Sequence, residues 1–265
     1  MNNLIVRALT GSVYIAVILA AVCLHPVPFL IVFAFITAAL LREFHELTGR
    51  GKVAPLKRIL YPLGGGYLFA ASFAYAHHWC GATVFLPYIL FLMSVLVIEL
   101  YAKEADPVKN WSVAFFGQLY CAGTMSLLNF SEATPFVLAL FVIVWLNDTG
   151  AYLVGSRFGR HRLFERISPK KSWEGFWGGF AMAVLASQVF AFCNPEISRF
   201  HWLGLSVVIV IFATWGDLTE SLLKRTLERK DSGSVLPGHG GLLDRFDSIL
   251  LASPAACIYI ELFMK

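Results

Sequence analysis

FVLALFVIVWLNDTGAYLVGSRFG, residues 136–159, decides the fold. An apolar run from Phe136 to Leu146 continues, with no turn signal, through Asn147 and Asp148 into further apolar and small residues. A spanning helix needs about 20 mainly apolar residues, so the stretch crosses a bilayer only if a carboxylate lies inside it. A carboxylate at that depth costs about 2.5–3.5 kcal/mol even on a lenient insertion scale, which marks Asp148 as functional. The structural alternative is an ion pair that only locks helices together.

Working outward, the 265 residues are 58% hydrophobic and 14% charged, far from the composition of a soluble domain. The expected fold is an all-α integral membrane protein of about nine transmembrane helices, near 6–24, 26–41, 59–77, 83–101, 111–128, 135–155, 174–193, 201–223 and 249–263. The second and ninth are short and the fifth is the weakest. The first run has no small-x-small cleavage site and is read as a permanent span rather than a signal peptide.

Charge segregation sets the expected topology, because Lys and Arg collect on the cytoplasmic side. With Arg7 inside, the cytoplasmic loops hold Arg42 to Arg58, Lys103 and Lys109, Arg157 to Lys171, and Lys224 to Arg245, leaving only Arg199 and Lys265 outside. The N-terminus and the active-site loops are therefore expected in the cytoplasm and the C-terminus outside; the compact length and the absence of an organelle-targeting pattern favour a bacterial inner membrane. The net charge of +4 is loop anchoring and gives no reason to expect nucleic acid. Five widely spaced cysteines, mostly in apolar runs, form neither a disulfide framework nor a zinc site.

The chain reads as a single membrane domain, 1–265, in which 1–130 is mainly scaffold and 131–265 carries the catalytic helices and loops. In the scaffold, Arg42, Glu43, His45 and Glu46, and likewise Glu99, read as charged helix ends at the membrane surface with no further role. Gly64, Gly65 and Gly66 read as a close helix approach rather than a phosphate cradle.

In the second half, Asp217, Glu220, Ser221 and Lys224 share one helix face by their spacing, and such a stripe in a membrane helix must face protein or a water-filled cavity. Asp148 precedes Arg157, and Asp217 precedes Arg225, by similar distances, which places both acids roughly 12–14 Å inward of the cytoplasmic arginines. Pro169 and Ser172 read as start signals of the seventh helix. Lys170 and Lys171 would then stand at its positive N-terminal end, a favourable place for polyphosphate, with positive-inside anchoring as the equal alternative. Downstream, Leu236-Pro237-Gly238-His239-Gly240-Gly241 is a turn that can approach a ligand, flanked by the hard oxygen donors Asp231, Asp244 and Asp247.

These residues bear a family resemblance. Ser221, Lys224-Arg225, Lys230-Asp231, Gly233, Leu236-Pro237-Gly238-His239-Gly240-Gly241 and Asp244-Arg245-Phe246-Asp247 resemble the signature of the phosphatidate cytidylyltransferases, or CDP-diglyceride synthetases. Asn147-Asp148, Ser168 to Ser172 with Glu174-Gly175, and Gly216-Asp217 look like further motifs of that family. The resemblance implies transfer of a cytidylyl group from CTP to phosphatidic acid, giving CDP-diacylglycerol and pyrophosphate, by a homodimeric membrane enzyme acting on membrane lipid. It implies Mg²⁺ on Asp217 and Asp244, with a second, monovalent or divalent, cation left open. Asp217, Asp244, Lys224 and Arg225 would be catalytic, and Lys170, Lys171, Ser172, Ser221, His239, Gly240, Gly241 and Asp148 would bind substrate. Two rivals use similar residues: a CTP-dependent kinase of a polyprenol, which releases CDP, and an ion-coupled transporter, which leaves its substrate unchanged.

Overall fold

The computed structural model describes residues 3–49, 53–102, 106–131, 134–233 and 240–264. Each apolar run is helical: α1 Asn3–Cys23, α2 Pro26–Thr48, α3 Pro55–Ala76, α4 Leu86–Ala102, α5 Pro107–Gly117, α6 Thr134–Phe158, α7 Trp173–Cys193, α8 Arg199–Thr226 and α9 Leu243–Phe263. The chain is a multi-pass membrane protein. Among the described residues, six segments are long and apolar enough to cross a bilayer: α2, Ala82–Ala102, Pro135–Phe158, α7, α8 and α9. α3 is long enough but diluted by Pro62, three consecutive glycines and tyrosines. After α5 the chain passes through a π-helical stretch, Gln118–Gly123, and short irregular turns to Ser131. There the Gln118 side chain donates to the Tyr61 carbonyl (2.9 Å) and accepts from the Tyr88 hydroxyl (3.2 Å).

Local signals explain where the helices begin. Proline stands in the first turn of α2, α3 and α5, where a missing N–H costs nothing. His25, Asp106, Ser172 and Ser198 each accept a backbone N–H at the start of α2, α5, α7 and α8.

One expectation needs correction. Ser168–Ser172 is not the first turn of a helix but a strand, β2, paired antiparallel with β1 (Arg162–Phe164), Arg162 lying opposite Ser172. Apart from this short ribbon the described residues match the expected all-α architecture. In a two-stranded ribbon every strand is an edge, so Pro169 is tolerated without an N–H. Lys170 and Lys171 consequently lie on the ribbon, and only Ser172 touches the helix start, its Oγ accepting from Gly175 N at 3.1 Å.

The chain forms two compact units, Met1–Glu132 with Arg229–Arg245, and Ala133–Glu228 with Phe246–Lys265. The first is built on α2 and α3, around the fully buried rings of Phe33, Phe44, Phe69 and Phe73. Gly64 and Gly65 make room for Phe91 and Leu41, a close approach of helices as expected. The acids of this unit depart from expectation. Arg42, Glu46 and Arg58 form an open surface cluster, but Glu43 and Glu99 are buried. Glu99 pairs with Lys57 at 2.5 Å and accepts from Asn110 at 3.0 Å, because a charge within a membrane-spanning segment must find partners inside the protein.

In the second unit α6 and α7 touch backbone to backbone. A Cβ at Gly150 would lie 2.7 Å from the Gly178 carbonyl, and one at Gly179 would lie 2.6 Å from both the backbone and side-chain oxygens of Asn147. Small residues of this kind bring membrane helices together by packing alone. Gly179→Leu is accordingly expected to lower stability by about 1–3 kcal/mol, read as a drop in melting temperature of the detergent-solubilised protein.

Candidate functional site

Within the second unit a cavity of about 600 Å³ opens between α6, the ribbon, α7 and α8. Asn147, Asp148, Tyr152 and Ser156 line it from α6, Arg162 from β1, Lys170, Lys171 and Ser172 from β2, Phe176 from α7, Thr214 and Asp217 from α8, and Ser248 from α9. The sequence spreads these residues from Asn147 to Ser248; the α6–α7 glycine contact and the ribbon bring them to one space. A second close approach completes it: Gly216 lies against the Asp247 carbonyl, where a Cβ would come within 2.5 Å.

The floor of the cavity is an ion pair. Lys171 Nζ stands 2.5 Å from Asp217 Oδ2, each side chain a little under a third exposed, and Ser221 Oγ donates to Asp217 Oδ1 at 3.2 Å. The rest of the expected polar stripe turns inward: Glu220 is fully buried and held by Lys224 at 2.5 Å. Asp247 is in electrostatic range of Asp217, Glu220 and Asp148. The ribbon is braced from behind by Glu174, which accepts from the backbone N–H of Arg160 (3.0 Å) and His161 (3.2 Å) and meets His161 Nδ1 at 2.6 Å. That brace ties the start of α7 to the residues just before β1.

Asp148, Lys170, Lys171, Ser172 and Asp217 are thus brought to one cavity, with Ser221 behind Asp217. Lys224 does not line it, and Arg225 is exposed at the last turn of α8. Arg162, exposed on β1 and within the loop arginines read as anchoring, also lines the cavity; no periodicity marked it, since its place there depends on the pairing of β1 with β2.

The remaining expected residues belong to the first unit. Asp244 Oδ2 accepts from Ser232 N (3.0 Å), Ser232 Oγ (2.9 Å) and Gly241 N (2.9 Å). Gly240 adopts a φ of +81°, a conformation that favours glycine. His239 lies outside the described residues.

A basic ribbon and an acid-bearing helix around one cavity suit a charged, phosphate-bearing ligand. A family model described as "Cytidylyltransferase family" matches residues 5–263. The chain belongs to the cytidylyltransferase family. Among curated relatives, "Phosphatidate cytidylyltransferase" of Staphylococcus aureus (strain COL) is 45% identical over 125 residues, 47% of this chain and 48% of that protein. The protein of the same name from Staphylococcus epidermidis (strain ATCC 12228 / FDA PCI 1200) is also 45% identical over 125 residues, with the same coverage. That of Staphylococcus saprophyticus is 43% identical over the same length and coverage. The match spans about half the length of these relatives.

Were the ligand a nucleoside triphosphate, a divalent ion would be its companion. Among the described residues no three His, Cys, Asp or Glu side chains come together to hold a metal by themselves. Magnesium rarely asks for that; it takes one or two carboxylates and completes its shell with phosphate oxygens and water. The hard oxygen donor at Asp217, facing the cavity beside two lysines, fits an ion that arrives with a nucleotide.

Proposed function

We propose that this protein is a phosphatidate cytidylyltransferase, which transfers CMP from CTP to phosphatidic acid to give CDP-diacylglycerol and pyrophosphate. The observation that carries this reading is the pairing of Lys171 with Asp217 in a cavity also lined by Lys170 and Arg162, inside a chain of the cytidylyltransferase family. A phosphate oxygen of phosphatidic acid attacks the α-phosphorus of CTP; the new P–O bond forms as the bond to the β-phosphate breaks, and pyrophosphate leaves. The attacking phosphate is already ionised near neutral pH, so no strong general base is needed.

The protein's share is alignment and charge neutralisation. Lys170, Lys171 and Arg162 bind phosphate oxygens and offset the charge gathering on pyrophosphate. Lys171 neutralises Asp217 before nucleotide binds, then turns to a phosphate. Asp217 would hold Mg²⁺, and the resemblance assigns Asp244 to it as well; the bound ion supplies Lewis-acid neutralisation of the triphosphate. Asp148 and Ser172 complete the polar wall, and Lys224 keeps the buried Glu220 compensated rather than meeting substrate.

In this reading the charge pattern supports nine spans with the N-terminus and site loops cytoplasmic and the C-terminus outside; the family resemblance, not the charge pattern, implies a homodimer, and a bacterial inner membrane is the proposed location. A basic surface at the cytoplasmic leaflet favours an anionic lipid by about 1 kcal/mol per nearby Lys or Arg. Purified protein given labelled CTP and phosphatidic acid is expected to release pyrophosphate and label the lipid. Chelator should abolish labelling and added Mg²⁺ restore it. Release of CDP with a polyprenol, or vesicle uptake of an unchanged solute, would replace this reading with a kinase or a transporter.

A further inference from the structure

The signature segment is held at both of its described ends by a carboxylate from the scaffold half. Glu43 on α2 is 3% exposed and belongs to the same compact unit as residues 229–245. Its Oε1 accepts from Ser232 Oγ at 2.8 Å and its Oε2 from Leu243 N at 3.0 Å, across sequence separations of 189 and 200. Ser232 passes the restraint on: its single hydroxyl proton is shared between Glu43 Oε1 and Asp244 Oδ2, and its backbone N–H donates to Asp244 Oδ2. A Cβ at Gly233 or at Gly241 would overlap the Glu43 carboxylate. Two signature glycines therefore make room for Glu43 rather than for a ligand.

A carboxylate offers only acceptors, and burying it is costly unless those acceptors are filled. Glu43 is satisfied when Ser232 and Leu243 stand where they do, so the loop and the carboxylate fix each other.

We propose that Glu43 is a positioning residue that clamps the described residues on either side of 234–239, at Ser232 and Leu243, and through Ser232 orients Asp244. The activity part of this inference rests on the function proposed above; the clamp itself does not. Three variants test it. Glu43→Ala removes both acceptors, Ser232→Ala cuts one link, and Glu43→Gln keeps the shape, an acceptor for Leu243 N and a polar group for Ser232.

Backbone hydrogen exchange at 229–233 and 240–243 is expected to rise at least ~10-fold in Glu43→Ala and Ser232→Ala, while exchange in α6 and α7 stays unchanged. kcat should fall at least ~10-fold in Glu43→Ala with KM for CTP altered less than ~3-fold, and Glu43→Gln should recover most of it. The double alanine variant should be no worse than Glu43→Ala alone, as for residues acting as a unit. A purely structural role would instead reduce melting temperature and yield while leaving kcat per folded molecule intact. Unchanged exchange in Glu43→Ala overturns the clamp. Should Glu43→Ala fail to accumulate, unchanged exchange in Ser232→Ala overturns it instead. Wild-type protein that makes no CDP-lipid would sink the proposed reaction, and the exchange data would still judge the clamp.

Discussion

Asp217→Asn is expected to reduce CDP-diacylglycerol formation on the order of 10²–10³-fold, the scale on which one preorganised electrostatic group acts at a reacting phosphate. The substitution keeps size and one oxygen, so it removes charge with little change in packing. Ser221 Oγ can still donate to the remaining oxygen, whereas Lys171 loses its anionic partner. Both side chains are partly exposed to the cavity, so the lost ion pair is itself of small consequence for stability. The measurement is the initial rate with saturating CTP and phosphatidic acid, set beside the melting temperature and a titration with Mg²⁺. A right-shifted Mg²⁺ dependence is the specific signature of a lost metal ligand. Wild-type rate at ordinary Mg²⁺ concentration would remove Asp217 from the mechanism. Asp244→Asn belongs in the same assay, and the same right shift is expected if Asp244 shares the ion.

Lys171→Ala is the second large effect, with a loss of ~10²-fold or more expected in kcat/KM for CTP. Lys171 meets Asp217 as a point charge at 2.5 Å from a strand paired with β1 and followed directly by the Ser172 cap of α7. Lys171→Arg is therefore expected to recover little, because a bulky planar guanidinium cannot take the position of a compact ammonium. Combining Lys171→Ala with Asp217→Asn gives a stringent check. If the two act on one bound triphosphate, the double variant loses less than the product of the single losses. Strict multiplicativity would mean that they serve separate sites.

Much of this was legible in residue order. The apolar runs, their approximate ends and the acids inside them follow from composition over about twenty residues, which is local information. The prolines and capping side chains that begin the helices are local as well. Asp148 and Asp217 could be singled out because polar residues in hydrocarbon are rare enough to demand a reason, and Lys170, Lys171 and Ser172 because they read as a basic helix start. The ribbon was not legible. Ser168–Ser172 carries helix-start residues, and only pairing with Arg162–Phe164 makes it a strand.

The scaffold half shows the same limit more sharply. Glu43 lies one residue from Arg42 and three from Glu46, and nothing in that spacing separates the buried anion from its exposed neighbours. The distinction comes from what α2 meets in space. Likewise Glu99 reads as a surface charge until Lys57 and Asn110 are seen against it.

Residue order alone, then, determined a helical membrane protein with phosphate-handling chemistry concentrated in its second half, because hydrophobicity and helical period are short-range properties. Tertiary structure alone decided which charges meet: Lys171 with Asp217, Lys224 with Glu220, and Glu43 with Ser232 and Leu243. In a low-dielectric interior each buried charge must find a partner, but which partner depends on helices packed from distant parts of the chain.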